Sequence, residues 1–255
     1  MFQVKAHVLL KEQIAPGIYT LRFFCREIAS RAKPGQFIHV KCGENRNFIL
    51  RRPFSIHRIL GPDTFEILFK VVGKGTSFLA QLHPHEILDI IGPMGSGFTI
   101  DDGLKSTILV AGGMGIAPLV SLIEEIDLQR IRLYILQGAA TRERLLYFMY
   151  LKRIARKIFL ATEDGSIGHK GLVTDLLHVA IKECKPDCIY ACGPEEMLKE
   201  VAEISSEFEI PAQVSMERRM GCGIGACLSC VCDTRDGYKR VCIDGPVFDA
   251  TEIVW

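Results

Sequence analysis

The sequence predicts an α+β protein of several domains: an antiparallel β-barrel, an α/β domain built on a parallel sheet, and a small cysteine-rich module. Three observations predict this order. Short runs rich in valine, isoleucine, phenylalanine and threonine fill the first domain, strand-like and helical segments alternate from Ser106, and glycine and cysteine dominate after Gln213. Because each pattern is typical of one fold class, we place the domains at residues 1–100, 101–213 and 214–255.

Turn sequences such as Pro-Gly and Gly-Pro-Asp divide the first domain into short segments of high β-propensity. The clearest of these segments are residues 17–25, 35–42, 52–59 and 64–72. Short strands separated by tight turns at this spacing favour a small antiparallel barrel.

The second domain alternates β-branched runs with amphipathic runs. Strands are predicted at residues 107–113, 131–139, 157–164 and 187–194. Helices are predicted at residues 117–129, 142–155, 172–183 and 195–205. Such alternation predicts a parallel sheet with helices on both faces.

One stretch without charged residues, 106–123, is about as long as a membrane span. Three glycines and Pro118 interrupt it in the middle, between a β-branched run and an amphipathic run. We therefore predict a strand, a glycine turn and a helix there, and no membrane segment.

The charge balance and the cysteine content limit the possible partners and location. Lysine and arginine number 31 against 30 aspartate and glutamate, with no long run of either sign, so we expect neither nucleic acid nor a membrane surface as partner. The opening MFQVKAHVLLKEQ has no sustained apolar core, which predicts no signal peptide and a cytoplasmic location. The ten cysteines are then expected to serve metal binding, redox chemistry or packing rather than disulfides.

Four cysteines near the end of the chain have the spacing of a metal-cluster site. Cys222, Cys227 and Cys230 form Cys-x4-Cys-x2-Cys, and Cys242 follows after eleven residues. The first three match the spacing of plant-type [2Fe–2S] ligands. Cys232 is treated as a neighbour and not a ligand, because using it in place of Cys230 would lose the x2 step.

Glycines at positions 221, 223 and 225 support a cluster in this loop. A loop around an inorganic cluster must present backbone N–H groups to the sulfurs and adopt positive φ without a Cβ clash. A structural zinc site and a group of free thiols are the alternatives. Zinc sites of this type usually contain two Cys-x2-Cys pairs, whereas only one is present, which favours the iron–sulfur interpretation.

The other cysteines carry less information. Cys184, Cys188 and Cys192 are regularly spaced, but the segment runs from a helix end into a strand, so their side chains are not expected to converge. Cys25 and Cys42 are expected to be buried as small hydrophobic residues.

Two segments of the first domain have the composition of a flavin site. Residues 52–55 place an arginine beside a proline, an aromatic ring and a hydroxyl, and an arginine fork suits a pyrophosphate. In residues 70–77, two glycines precede a helix predicted to begin near Thr76 or Ser77, and a helix N-terminus after glycine suits an anion. The alternative for the first segment is a barrel strand with an exposed arginine.

A second phosphate-binding candidate lies in residues 111–118, AGGMGIAP, between a predicted strand and a predicted helix. It lacks the third glycine of the dinucleotide fingerprint and has Pro118 in the first helical turn. A strand, glycine turn and helix still suit a dinucleotide pyrophosphate. The alternative is a tight turn that binds no ligand.

Taken in order, the motifs RPFS, GKGTS, GPMGSGF, GGMGIAPL, ACGPEEML, MGCGIGACLSC and KRVCIDGPVF span nearly the whole chain. In these motifs the chain resembles the electron-transfer subunits of B-type, NAD-dependent dihydroorotate dehydrogenases, in the ferredoxin reductase-like superfamily. The C-terminal motif is the most specific of them. The chain departs from the pattern at His85 and Glu86, where relatives generally have Gly-Asp, and at Ala140, where an arginine is common.

The resemblance implies three groups of site residues. FAD would contact Arg52, Pro53, Phe54, Ser55, Phe69, Lys70, Val71, Gly75 and Thr76. The nicotinamide nucleotide would face Gly112, Gly113, Gly115, Pro118, Cys192, Gly193 and Pro194, with Cys192 as a catalytic candidate near the nicotinamide. The [2Fe–2S] cluster would bind Cys222, Cys227, Cys230 and Cys242.

The resemblance also implies a function and a partner. Electrons taken from dihydroorotate by an FMN-containing catalytic subunit would cross the [2Fe–2S] cluster and FAD to NAD+, in pyrimidine (UMP) biosynthesis. Two copies of each subunit would form a heterotetramer. One alternative is the same module serving a ferredoxin–NADP reductase, a sulfide dehydrogenase or a hydrogenase; another is a non-redox nucleotide-binding module with structural zinc.

Overall fold

The structure, a computed structural model, describes residues 1–43 and 49–255. Its first part is built on six strands: β1 Phe2–Ala15, β2 Ile18–Phe24, β3 Phe37–Val40, β4 Arg52–Ile59, β5 Thr64–Lys70 and β6 Ile87–Met94. They pair antiparallel in the order β1-β2-β5-β4-β3-β6, and β6 closes the barrel on β1. Two helices accompany the barrel, α1 Arg26–Ala29 and α2 Lys74–Gln81. The predicted antiparallel barrel is confirmed.

The alternation of side chains along β3 assigns its two faces. Ile38 and Val40 are buried among the aliphatic residues of the barrel interior, whereas Phe37 packs in a different cluster outside it. The helix after β5 begins at Lys74, two residues before the predicted Thr76, because Gly73 serves as its N-terminal boundary. His85 and Glu86 stand before β6 where relatives generally have Gly-Asp. The turn is kept, since His85 itself adopts a left-handed φ of 76°.

The second part alternates strands and helices. Its strands are β7 Ser106–Gly112, β8 Arg132–Ala139, β9 Lys157–Thr162, β10 His169–Lys170, β11 Cys188–Cys192 and β12 Ala212–Ser215. Its helices are α3 Ile116–Glu125, α4 Phe148–Ile154, α5 Leu177–Cys184 and α6 Glu195–Glu207. The six strands are parallel, in the order β10-β9-β8-β7-β11-β12. The predicted parallel sheet is confirmed.

The strand order reverses between β7 and β11, the two central strands that follow each other in space but not in sequence. In open α/β sheets, ligands bind in the crevice outside the carboxyl ends of the strands at such a reversal. The glycine turn after β7 and the Cys-Gly-Pro segment after β11 both lie at this point.

The helix predicted at residues 142–155 is only half formed. The structure has a 3₁₀ turn at Arg142–Arg144 and begins α4 at Phe148. Tyr147 adopts a left-handed conformation with φ of 58°, which a continuous helix does not allow. The apolar periodicity of residues 142–155 predicts one helix, but Tyr147, which is held by tertiary contacts, interrupts that helix.

The third part contains a hairpin of β13 Val231–Thr234 and β14 Gly237–Arg240, followed by β15 Val247–Asp249. The last strand pairs antiparallel with β12, so the chain returns to the edge of the nucleotide-domain sheet. Cys230, Cys232 and Cys242 are buried in the same core cluster as that sheet. The cysteine module is thereby fixed against the α/β domain.

The uncharged stretch at residues 106–123 forms β7, a 3₁₀ turn at Gly113–Gly115 and most of α3, as predicted. Within residues 1–43 and 49–255, no helix is both long enough and apolar enough to cross a membrane.

Candidate cofactor sites

A cavity of about 480 Å³ lies between the barrel, the α/β domain and the start of the cysteine module. Eight of the nine residues predicted to contact FAD line it: Arg52, Pro53, Phe54, Ser55, Phe69, Lys70, Gly75 and Thr76. The ninth, Val71, lies on the same segment but is not among the lining residues. Strands β4 and β5 are neighbours in the barrel, which brings two separate sequence motifs onto one wall.

One end of this cavity has the chemistry of an anion site. Thr76 Oγ1 accepts hydrogen bonds from the N–H groups of Val72 (2.8 Å) and Gly73 (3.1 Å), which shapes the first turn of α2. The Arg52 side chain lies beside this turn, since a Cβ on Gly75 would stand 3.5 Å from Arg52 Cγ. A guanidinium next to a helix N-terminus suits a pyrophosphate.

The flavin cavity also contains residues that the motifs did not indicate. Met114, Met216, Glu217, Arg218 and Met220 line it from the glycine turn after β7 and from the segment before the cysteine loop. The Glu217 side chain is exposed to solvent. Protein atoms nevertheless surround its carboxylate, and this desolvation raises the pKa of Glu217. The sequence pattern does not indicate these residues, because only the fold brings them close to β4 and β5.

A second cavity of about 610 Å³ opens at the carboxyl ends of the parallel strands. Gly112, Gly113 and Pro194 line it, as expected for nucleotide contacts. Gly113 has a positive φ of 54° and open space where a Cβ would be. Pro118 lines the flavin cavity instead.

Gly115 and Gly193 line neither cavity, and both are closely packed. A Cβ on Gly115 would lie 1.9 Å from the Cys192 carbonyl oxygen, and a Cβ on Gly193 would lie 2.6 Å from Met197 Cε. Glycine at these positions lets the turn after β7 press against the end of β11.

Cys192, the candidate for a place near the nicotinamide, lies in the core at the end of β11. Its side chain is 1% exposed and lines neither cavity. It packs against the aliphatic residues of α3 and β7. Burial raises the pKa of its thiol, so the group is neutral and enclosed.

The two cavities meet. Lys70 and Met114 line both of them, so a nucleotide in the larger cavity and a flavin in the smaller one would come together at these two side chains. This common wall is where β5 of the barrel faces the glycine turn of the α/β domain.

The four motif cysteines form two pairs. Cys222 and Cys227 are joined through backbone N–H to sulfur contacts of 3.4 Å in both directions. Cys230 and Cys242 are both buried and contact each other through their thiols. A [2Fe–2S] cluster needs two thiolates for each of two irons, which this pairwise arrangement provides.

Hydrogen-bond donors surround the sulfurs of the Cys222–Cys227 pair. Cys227 Sγ lies 3.1 Å from Ser229 Oγ, and the Ile224 N–H lies 3.4 Å from Cys222 Sγ. Contacts from the Ser229 hydroxyl and backbone, then from Cys222, lower the pKa of Cys227 to about 6, which favours the thiolate that binds metal. Burial raises the pKa of Cys242 to about 12 in the metal-free chain.

Gly223 and Gly225 give the loop its shape, with φ of 71° and 78°. A Cβ on Gly223 would lie 2.5 Å from His39 Nδ1, so the loop rests directly on the barrel. His39 is 0% exposed, and the carbonyls of Cys222 and Arg51 face its ring, but neither ring nitrogen makes a hydrogen bond of normal geometry.

Cys184, Cys188 and Cys192 do not converge, as the sequence predicted. Cys184 ends α5, while Cys188 and Cys192 lie at opposite ends of β11. Cys232 Sγ lies 3.6 Å from the Lys239 carbonyl oxygen within its hairpin. Across the part of the chain that the structure describes, no three histidine, cysteine or acidic residues are arranged around one metal-ion position.

Comparison with known families gives two matches. A model described as the iron–sulfur cluster binding domain of dihydroorotate dehydrogenase B matches residues 217–254. A model described as the oxidoreductase NAD-binding domain matches residues 109–203. The first match includes all four motif cysteines and favours an iron–sulfur cluster over structural zinc.

Solved structures share the fold. A structure of an NADH-dependent reduced ferredoxin–NADP oxidoreductase, studied for flavin-based electron bifurcation, superposes with a TM-score of 0.87 at 29% identity, covering 98% of this chain and 90% of that one. A ferredoxin–NADP+ reductase from Neisseria gonorrhoeae with bound FAD and NADP superposes at 0.64 and 20% identity, covering 80% of this chain and 91% of that one.

Curated relatives match along almost the entire sequence. The dihydroorotate dehydrogenase B (NAD(+)) electron transfer subunit of Desulforamulus reducens is 39% identical, covering 98% of this chain and 97% of the relative. The protein of the same description from Caldanaerobacter subterraneus subsp. tengcongensis is 40% identical, covering 100% and 99%. The chain belongs to the family of dihydroorotate dehydrogenase B electron transfer subunits.

Proposed function

We propose that this chain carries electrons from dihydroorotate, oxidised in an FMN-containing catalytic subunit, through a [2Fe–2S] cluster and FAD to NAD+ in pyrimidine biosynthesis. The order of the sites is the observation that supports this most. The nucleotide cavity adjoins the flavin cavity at Lys70 and Met114, and the flavin cavity is lined by Met220, two residues before the first cluster cysteine.

The residues supply binding and orientation rather than acid–base chemistry. When bound, a flavin exchanges single electrons with an iron–sulfur cluster and electron pairs with nicotinamide. Arg52 and the first turn of α2 would hold the flavin pyrophosphate, and Phe54 and Phe69, with ring centroids 5.9 Å apart, would form the apolar wall beside Ser55. Gly112, Gly113 and Pro194 would receive the nucleotide.

The charges around the nucleotide cavity support NAD rather than NADP. Glu163, Glu196 and Glu200 line it, against the two cations Lys70 and Arg144. Carboxylates accept hydrogen bonds from ribose hydroxyls, whereas an additional 2′-phosphate is usually met by arginine.

The partner would dock over the cluster loop, in an assembly of two copies of each subunit. Cys227 is exposed there, and three apolar neighbours are exposed with it: Ile224 (48%), Leu228 (59%) and Ile243 (38%). Exposed apolar groups around an electron entry point fit a protein partner.

The domain boundaries and the cytoplasmic location remain predictions.

Replacing Leu228 with aspartate tests this docking surface. Leu228 has a left-handed φ of 57°, which aspartate tolerates better than leucine, so the loop should keep its fold. We expect association with the catalytic subunit to weaken at least about tenfold, because a charge would be buried at the interface. Dihydroorotate-driven reduction of the flavin should fall in parallel, whereas NADH-driven reduction should not change.

Val179→Asp on α5 is the matched control, since Val179 is an exposed aliphatic residue (57%) on an outer helix. Two outcomes would contradict the proposed docking surface. One is that the control associates with the catalytic subunit as weakly as Leu228→Asp does; the other is that Leu228→Asp associates as the wild type does while its cluster spectrum is intact.

A second candidate keeps the same electron module but changes its partner. The superposition on the ferredoxin–NADP oxidoreductase structure, at 29% identity, supports a role as a subunit of such an enzyme. Dihydroorotate would then reduce neither flavin nor cluster, even in the intact complex.

A further inference from the structure

A buried hydrogen-bonded pair, His57 and Tyr147, joins β4 to the wall of the nucleotide cavity. Strand β4 carries Arg52–Ser55 of the flavin cavity and is called the flavin strand below. His57 follows Ser55 by two residues on β4, at a β-bulge where Ile56 and Arg58 oppose consecutive residues of β5. A bulge re-aims the side chain at the inserted position. His57 is 0% exposed and its ring reaches out of the barrel to α3.

The hydrogen bonds of this pair determine where its protons lie. His57 Nδ1 lies 2.8 Å from the Ala117 carbonyl oxygen, and Nε2 lies 2.9 Å from the Tyr147 hydroxyl. A carbonyl can only accept, so Nδ1 carries the proton and Nε2 accepts the Tyr147 O–H. Desolvation lowers the pKa of His57 to about 4, which keeps the ring neutral at physiological pH.

Tyr147 is held in a conformation that aromatic residues disfavour. Its φ of 58° and ψ of 13° lie in the left-handed region. Such outliers persist where surrounding contacts impose them, and they concentrate at functional sites. Here the contacts come from the barrel: the hydrogen bond to His57, and the Arg58 guanidinium 6.0 Å from the ring centroid.

The residues just before Tyr147 form part of the nucleotide cavity. Arg144 and Leu146 both line it. Gln137 Nε2 donates to the Leu146 carbonyl at 2.7 Å and connects this wall to the parallel sheet. The sheet thus holds this wall through Gln137. The barrel holds it through Tyr147 and through Arg144, whose Nη1 donates to the Pro16 carbonyl oxygen at 3.4 Å.

We propose that His57 and Tyr147 are a positioning pair that fixes the nucleotide-cavity wall of Arg144 and Leu146 relative to the flavin strand. Neither residue lines a cavity. Their effect is on the distance and angle at which nicotinamide meets flavin, and reaction rates respond steeply to such placement. The inference rests on the proposed function, because it assumes that NADH and flavin react between these two cavities.

Tyr147→Phe tests the pair, since it removes only the hydroxyl. Anaerobic stopped-flow absorbance of the holoprotein gives the limiting rate of flavin bleaching and the NADH concentration at half saturation. We expect the limiting rate to fall about tenfold or more, because the wall loses its hydrogen bond to His57 on β4. FAD content and the cluster spectrum should stay as in the wild type.

Tyr150→Phe is the matched control. Tyr150 lies on α4, which begins directly after Tyr147. Its replacement also removes a hydroxyl near Arg58, whose guanidinium is 5.3 Å from the Tyr150 ring, but Tyr150 does not bond His57. The limiting rate of Tyr150→Phe should stay within about twofold of the wild-type rate, because this change leaves the His57–Tyr147 hydrogen bond in place.

A double-mutant cycle separates positioning from plain stability. If the residues act as a pair, His57→Leu combined with Tyr147→Phe should bleach no more slowly than the slower single variant. A merely structural role would lower the melting temperature and leave the limiting rate of Tyr147→Phe equal to that of Tyr150→Phe, which would overturn the inference. A wild-type flavin that NADH does not bleach would overturn the proposed function together with it.

Discussion

Replacing Cys227 with serine is expected to abolish electron exchange between this chain and the catalytic subunit while NADH still reduces FAD. Cys227 is the exposed member of the Cys222 pair, and its hydrogen bonds favour the thiolate that a cluster needs. Coupled turnover of dihydroorotate and NAD+ should fall at least about 100-fold, because even residues outside the ligand set change metal affinity by 10–100-fold. Electron paramagnetic resonance of the reduced protein and steady-state turnover of the complex measure the two effects.

Cys232→Ser provides the control for this loss. Cys232 is buried on β13 close to the ligand set, with its thiol directed at the Lys239 carbonyl. The variant should keep the cluster signal and coupled turnover. Normal coupled turnover in Cys227→Ser would contradict the ligand set, and loss of the cluster in Cys232→Ser but not in Cys230→Ser would show that the third ligand was assigned to the wrong residue.

Replacing Arg52 with alanine is expected to yield protein largely free of FAD. The Arg52 guanidinium is exposed at the cavity and donates to the carbonyls of Leu50 (2.7 Å) and Arg51 (3.2 Å), close to the first turn of α2. Loss of its charge-assisted hydrogen bonds should weaken FAD binding about 10- to 100-fold. The ratio of absorbance at flavin and protein wavelengths, together with FAD titration of the apoprotein, measures this effect.

The FAD affinity of Arg52→Lys should lie between those of the wild type and Arg52→Ala, since lysine keeps the charge but not the planar fork. Equal FAD affinity in all three proteins would show that the pyrophosphate is held elsewhere. The cluster signal should remain in every variant, because Arg52 lies in the barrel and the cluster cysteines lie beyond Gly221.

Most of the fold was predictable from local patterns. Segments 52–59 and 107–113 carry strong β-propensity between turn residues, and both are strands within one residue at each end. β1 and β6 were not singled out, because exposed polar residues alternate along β1 and the Gly-Pro pair near the end of β6 resembles a turn. The antiparallel β15 could not be predicted, since its pairing with β12 depends on where the cysteine module folds back.

The candidate sites were predictable where one short segment supplies several contacts. The cysteine spacing and the Arg52–Ser55 segment are of this kind. The burial of Cys192 could not be predicted, because a motif gives position along the chain but not the direction of a side chain, and a residue at the end of a strand can point into the core. Met114, Glu217 and His57 were missed since each reaches its site through tertiary packing across domains.

The central proposal is that electrons from dihydroorotate reach NAD+ through this chain. Its most direct test is an anaerobic absorbance record of the chain purified together with the catalytic subunit, with dihydroorotate added to one cuvette and NADH to another. We predict that both reductants bleach the flavin and cluster bands of this chain. Bleaching by NADH alone, with the catalytic subunit present and loaded with FMN, would contradict the dihydroorotate assignment, and bleaching by neither would contradict the redox role itself.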